Sequence, residues 1–191
     1  MPKPSIEATR RDPRDCLLAV DLFTTFDFEG GDRLLASLRA RGDGIRETVT
    51  GARRSGIPLV YANDSFGSWG GNADAIVERA LAGPGADVLR AVGPEDGDAF
   101  VVKPRYSAFD LTPLPLVLED LGADRLLLVG TATEMCVAQT AIDARERDYK
   151  VTVITGACAT TDDALECTAL AYLAKVTGSF LAPTLEEALA R

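Results

Sequence analysis

The run Leu126-Leu127-Leu128-Val129-Gly130-Thr131-Ala132-Thr133-Glu134-Met135-Cys136-Val137 decides how the chain is read. It begins as a short, continuously apolar strand. It breaks at Gly130-Thr131-Ala132-Thr133 and restarts as a helix, with Cys136 in or near the first turn. A cysteine at a helix start meets backbone N–H groups that have no partner within the helix, and the positive end of the helix dipole. Both favour thiolate over thiol, so a lowered pKa and a nucleophilic Cys136 are expected. The competing reading at this point is a small buried residue that packs a helix onto a sheet.

Working outward, the same alternation recurs. Asp15-Cys16-Leu17-Leu18-Ala19-Val20-Asp21 is an apolar strand that ends on a carboxylate. A second strand covers 57–62 and ends at Asn63-Asp64-Ser65. A third covers 98–103 and ends on Lys103. The fourth is 125–130, the fifth 150–155 and a short sixth 179–181. Helical stretches fall at 32–55 (broken near Gly42-Asp43-Gly44), 73–82, 113–121, 133–148, 161–177 and 184–190. Pro113 suits a first helical turn. The helix at 161–177 is expected to turn Leu165, Ala169, Tyr172, Leu173 and Val176 inward, and Cys158 and Cys167 read as packing residues. Asp64 reads as a turn residue or hydrogen-bond acceptor.

Strands that are continuous apolar runs, separated by helices, mark a parallel sheet covered on both faces. The expected fold is therefore α/β: a three-layer α/β/α sandwich around a mostly parallel, doubly wound sheet of about six strands. Residues 1–14 are polar, carry three prolines and read as a flexible arm. Residues 15–191 read as a single domain.

Composition narrows the chemistry. The net charge of −9 argues against nucleic-acid backbones as partners. No apolar run approaches the ~20 residues of a membrane span, and the N-terminus has no hydrophobic signal core, so a cytoplasmic protein is expected. Four widely spaced cysteines without a CxxC pair read as reduced thiols. There is no histidine. Ser-His-Asp and Cys-His catalysis are thereby excluded, and the usual ligands of a catalytic zinc or iron site are missing, so neither metal nor cofactor is expected.

Asp21, Lys103 and Cys136 all lie at or just past a strand's carboxyl end. In a parallel sheet these ends share one edge, where ligands bind. Singly, the Asp could cap a turn and the Lys could face solvent. Together they could replace the missing histidine. Asp21 can take the thiol proton, Lys103 can stabilise thiolate and carboxylate, and the helix start offers N–H donors for an oxyanion.

These strand ends carry a resemblance. Leu17-Leu18-Ala19-Val20-Asp21-Leu22 with Phe26-Asp27, Val60-Tyr61-Ala62-Asn63-Asp64, Val102-Lys103-Pro104-Arg105-Tyr106-Ser107-Ala108-Phe109 and Gly130-Thr131-Ala132-Thr133-Glu134-Met135-Cys136-Val137 resemble, in order, the motifs of the isochorismatase-like cysteine hydrolases. That family includes nicotinamidases, carbamoylsarcosine amidohydrolases and ureidoacrylate amidohydrolases. The resemblance implies an isochorismatase-like hydrolase fold, with Asp21 as general base, Lys103 as supporting cation and Cys136 as nucleophile. It also implies a cis peptide at Thr131-Ala132, an oxyanion hole from the Ala132 and Cys136 N–H groups, and a homodimer or homotetramer.

The implied activity is metal-independent hydrolysis of a small amide, carbamoyl or ureido compound through a thioester. Phe26, Phe66, Trp69, Tyr106 and Phe109 are candidate pocket residues, each equally suited to core or interface, and Arg105 could pair with a substrate carboxylate. The metal-binding histidines of nicotinamidases are missing after the second strand, which demotes that activity. Cys136 favours amide chemistry over isochorismatase-type ether cleavage, which would need no covalent intermediate. A non-enzymatic redox or scaffold role lacks a resolving cysteine near Cys136.

Overall fold

A computed structural model describes residues 14–67 and 72–191. Six strands form one sheet: β1 (Asp15–Val20), β2 (Leu59–Asp64), β3 (Ala99–Lys103), β4 (Arg125–Thr131), β5 (Lys150–Ala159) and β6 (Phe180–Ala182). Their spatial order is β3-β2-β1-β4-β5-β6 and every pair is parallel. The helices are α1 (Gly31–Ala40), α2 (Gly42–Arg54), α3 (Ala73–Leu81), α4 (Ala86–Leu89), α5 (Leu114–Leu121), α6 (Ala138–Glu146), α7 (Asp163–Tyr172) and α8 (Leu185–Leu189). A π turn, Thr133–Val137, leads into α6, and a second, Leu173–Thr177, extends α7.

Period-two alternation along each strand divides the core into two layers. From β1, Leu17 and Ala19 point into a cluster with Leu34 and Leu38 of α1 and Ile45 and Val49 of α2. Cys16, Leu18 and Val20 point the other way, against Leu114 and Leu118 of α5 and Ala138 and Ala141 of α6. This is the three-layer architecture expected from the uninterrupted apolar strands. Each leucine fully buried in it contributes about 1.5–3 kcal/mol.

Strand order reverses between β1 and β4, so the β1, β2 and β4 ends meet at a topological switch point. Gly130 is needed there. Its φ is 129°, and a Cβ would fall 1.9 Å from the Val20 carbonyl oxygen of the neighbouring strand.

Several elements differ from the sequence reading. β2 continues through Asp64 and β5 through Ala159. The stretch after Gly85 holds the short α4 and a 3-10 turn at Arg90–Val92. Leu165, Tyr172 and Val176 face outward, at 56%, 48% and 64% exposure, rather than inward. Leu173, fully buried, and Ala169 face inward as expected, and Glu166 joins them on the inner face, two turns before Leu173. Cys167 shares the outer face and is exposed, whereas Cys158 is buried as expected. No described helix is long and apolar enough to cross a membrane.

Candidate active site

Asp21 follows the last residue of β1 and has φ 48°, a left-handed conformation that is uncommon for a side-chain-bearing residue. Neighbouring strands hold it there. Its N–H donates to the Ala62 carbonyl of β2 at 2.9 Å, and its carbonyl accepts from Thr131 Oγ1 of β4 at 2.6 Å. The carboxylate is thereby aimed across the sheet edge. Asp21 Oδ1 accepts the Asp64 N–H at 2.7 Å, and Oδ2 lies 2.6 Å from Lys103 Nζ.

Lys103 ends β3 and is 0% exposed, which excludes a solvent-facing role. Its Nζ donates to the Arg105 carbonyl at 2.8 Å and reaches Cys136 Sγ at 3.5 Å. A buried ammonium is tolerable only when paired and hydrogen bonded, and these contacts meet that requirement. The structure therefore brings Asp21, Lys103 and Cys136 together, with the ammonium touching both other side chains.

Cys136 sits in the π turn that links β4 to α6. The Thr131–Ala132 peptide before it is cis. The Met135 and Val137 N–H groups both return to the Ala132 carbonyl, at 3.0 and 3.3 Å. The Ala132 N–H has no acceptor among the described residues.

The electrostatics depart from the sequence reading. Burial, and then the adjacent Asp21 charge, push the Cys136 thiol up to about 12, although Lys103 pulls it down. The helix start does not offset removal from water. Burial also raises the Asp21 carboxyl above its ordinary range, against the pull of Lys103 and the hydrogen bonds it accepts. For Lys103 burial acts downward, yet the Asp21 and Cys136 charges outweigh it and the ammonium is retained.

The remaining candidates divide. Arg105, Tyr106 and Phe109 line a cleft of about 770 Å³ beyond the β2 and β3 ends, with Asp64, Gln139 and Arg147. The three central residues do not line it, but Asp64 adjoins both, since its N–H holds Asp21. Asp64 Oδ1 accepts the Phe66 N–H at 2.6 Å, a local turn contact. Phe66 is partly exposed, and Tyr106 is exposed. Phe109 is buried beneath the Arg147 guanidinium and beside Tyr149. Phe26 is a core residue of the opposite layer, its ring against Gly85. Trp69 lies outside the described residues. No group of three or more Cys, Asp and Glu among the described residues is arranged to hold a metal ion.

A second set of contacts had no role in the sequence reading. Thr133 Oγ1 is 2.7 Å from Glu166 Oε1 of α7. Arg41, between α1 and α2, grips the same carboxylate with both terminal nitrogens, at 2.5 and 2.6 Å, and also donates to the Cys158 carbonyl. Next to Thr133, Glu134 accepts from Thr160 Oγ1, Thr161 N–H and Thr161 Oγ1 at 2.7, 2.9 and 2.5 Å. The available signal was Glu166 itself, a carboxylate one helical repeat from the inward Leu173.

Comparison with known proteins follows the same lines. Residues 15–183 match the family described as isochorismatase domain. The chain is 31% identical over 137 residues to the uncharacterised isochorismatase family protein YaaI of Bacillus subtilis, covering 72% of this chain and 76% of YaaI. It is 28% identical over 160 residues to the ureidoacrylate amidohydrolase RutB of Methylobacterium radiotolerans, covering 70% of this chain but only 62% of that enzyme. Among solved structures, an isochorismatase family protein from Desulfovibrio vulgaris superposes with TM-score 0.75 at 24% identity, over 94% of this chain and all of that one, a likeness of fold.

Proposed function

The chain belongs to the isochorismatase family of hydrolases, and from that premise we propose that it is a metal-independent cysteine hydrolase. It cleaves the C–N bond of a small amide, carbamoyl or ureido compound through a thioester. The observation that carries this reading is the buried contact set of Lys103 Nζ, 2.6 Å from Asp21 Oδ2 and 3.5 Å from Cys136 Sγ.

With its pKa pushed up to about 12, the Cys136 thiol is not ionised at neutral pH. Its proton therefore passes to Asp21 as sulfur attacks the carbonyl carbon, and Lys103 steadies the sulfur's developing charge. The raised affinity of Asp21 for a proton suits it to this step. The tetrahedral oxyanion is received by the Ala132 and Cys136 N–H groups; the unpartnered Ala132 N–H supports that role. Protonated Asp21 then gives its proton to the departing nitrogen as the C–N bond breaks. Water, deprotonated by Asp21, attacks the thioester and releases the acid with the regenerated thiol.

In this reading the substrate's far end occupies the cleft of Arg105, Tyr106 and Phe109. Arg105 pairs with a carboxylate, which suits an acidic substrate such as ureidoacrylate, on which RutB acts by name.

The test is a panel of N-carbamoyl acids, ureido acids and primary amides. One or more should turn over, Cys136→Ala should abolish turnover with the fold intact, and an acyl adduct should be trapped on Cys136. Full activity in Cys136→Ala would overturn the reading. Turnover with no adduct would favour C–N cleavage by direct attack of water, without a thioester.

A further inference from the structure

One side of the Cys136 turn faces Lys103 and Asp21. Its other side is tied just as firmly. Thr133 opens the π turn, is completely buried and sits three residues before the nucleophile. Its hydroxyl carries one proton and faces two acceptors, Glu166 Oε1 at 2.7 Å and the Ala159 carbonyl at 3.1 Å. The carboxylate is both nearer and charged, so it is the stronger partner. Glu166 cannot swing away, because the planar Arg41 guanidinium holds both of its oxygens. Arg41 is anchored in turn on the Cys158 carbonyl, at the β5 end.

We propose that Glu166 and Thr133 are positioning residues for Cys136, and that Arg41 locks them through the ion pair. The assignment rests on the reading of Cys136 as nucleophile. None of these residues touches the sulfur. They fix the start of the π turn against α7 and β5, and so set where Sγ stands relative to Lys103 and Asp21. The contact suits this task because it is bidentate at one end and a single hydroxyl at the other. Burial raises the Glu166 carboxyl, but the Arg41 and Thr133 hydrogen bonds outweigh it and keep the carboxylate ionised. Near-attack geometry is sensitive: a displacement of about 1 Å can cost about 100-fold in rate.

The experiment uses Thr133→Val, which keeps the shape and removes the donor, with Thr133→Ser as the conservative control. Iodoacetamide labelling of Cys136 is followed against pH by peptide mass spectrometry, which separates it from the exposed Cys167. Burial is the largest cause of the raised thiol pKa, so loosening the turn should move the labelling midpoint below that of the native chain.

On a panel substrate, kcat should fall about 10- to 100-fold with KM little changed. The thiol would then ionise more easily while the enzyme runs more slowly; because unfolding also frees a thiol and slows turnover, both are read on variant protein that urea unfolding shows to be fully folded under the assay conditions. Thr133→Ser should restore both readings to within a few-fold of the native chain. In Glu166→Gln, adding Thr133→Val should cost less than it does alone, because the two act in one chain of contacts.

A native labelling midpoint in Thr133→Val would overturn the assignment, and so would strict additivity in the double variant. If Thr133→Val fails to fold, Glu166→Gln carries the same measurements, and a native profile in it would overturn the assignment. The labelling needs no substrate. A failure of the nucleophile reading, seen as turnover surviving Cys136→Ala, is therefore a separate result.

Discussion

Two buried carboxylates flank the Cys136 turn, and they differ in what holds them. Asp21 meets a lysine, a thiol and a backbone N–H. Glu166 meets a forked guanidinium and a threonine hydroxyl. Lys103 offers a point charge that it divides between Asp21 and Cys136, so the opposite charge does not offset the burial of the Asp21 carboxylate. Its proton affinity rises. Arg41 gives Glu166 two parallel hydrogen bonds, and the proton affinity falls. One carboxylate is set to accept and return a proton. The other stays charged and holds its place. Asp21 lies deeper among protein atoms and shares its cation, whereas Glu166 is less deeply set and has a forked guanidinium to itself; the opposite directions follow from both differences.

The larger effect is expected at Asp21. Asp21→Asn keeps the side-chain volume and removes the base. We expect kcat to fall about 100- to 10 000-fold, the range that general-base removal typically covers. Glu166→Gln should cost only the 10- to 100-fold expected of a lost positioning contact. Steady-state rates on one panel substrate decide between them. Equal losses in the two variants would mean that both carboxylates act in the same way.

Asp21 also depends on its cation for stability. Lys103→Met leaves Asp21 buried without its cation, and removing one partner of a buried ion pair typically costs about 3–5 kcal/mol. Adding Asp21→Asn removes the stranded charge, so the double variant should recover much of that loss. Urea unfolding of the two single variants and the double variant measures the difference. A double variant as unstable as the sum of the singles would show that the pair is not coupled.

How far the sequence reached follows from the range of each interaction. The layered fold was legible because parallel strands buried on both faces leave unbroken apolar runs, as in Leu126–Val129. Asp21, Lys103 and Cys136 were legible as candidates because each ends a strand, and topology alone brings strand ends to one edge. The pKa of Cys136 was not. Its sign depends on how completely water is excluded, and a helix start alone suggested the opposite direction. The outward turn of Leu165 and Tyr172 was missed because a helix shows a similar apolar period on more than one face. What seats α7 is a charged residue, Glu166, whose partner Arg41 lies more than a hundred positions earlier. No local pattern links them.

The smallest expected effect concerns acid stability, where the two carboxylates should act with opposite sign. The folded-state pKa of Glu166 is lowered from 4.5, so the stability it contributes is fully present above that value and lost as pH falls through the folded pKa. The Asp21 pKa is raised from 3.8, so its contribution is full below that value and lost as pH rises. Acidification from about pH 5 to about pH 3 should therefore cost Glu166→Gln less Tm than the native chain, and Asp21→Asn more. A change of about 1 kcal/mol moves Tm by about 2–4 °C in a chain of this size, so thermal unfolding followed by circular dichroism resolves the ordering. The native curve must lie between the two variants. If both variants flatten the acid loss, Asp21 is held ionised as firmly as Glu166, and the proton it is proposed to take from Cys136 has no place to go.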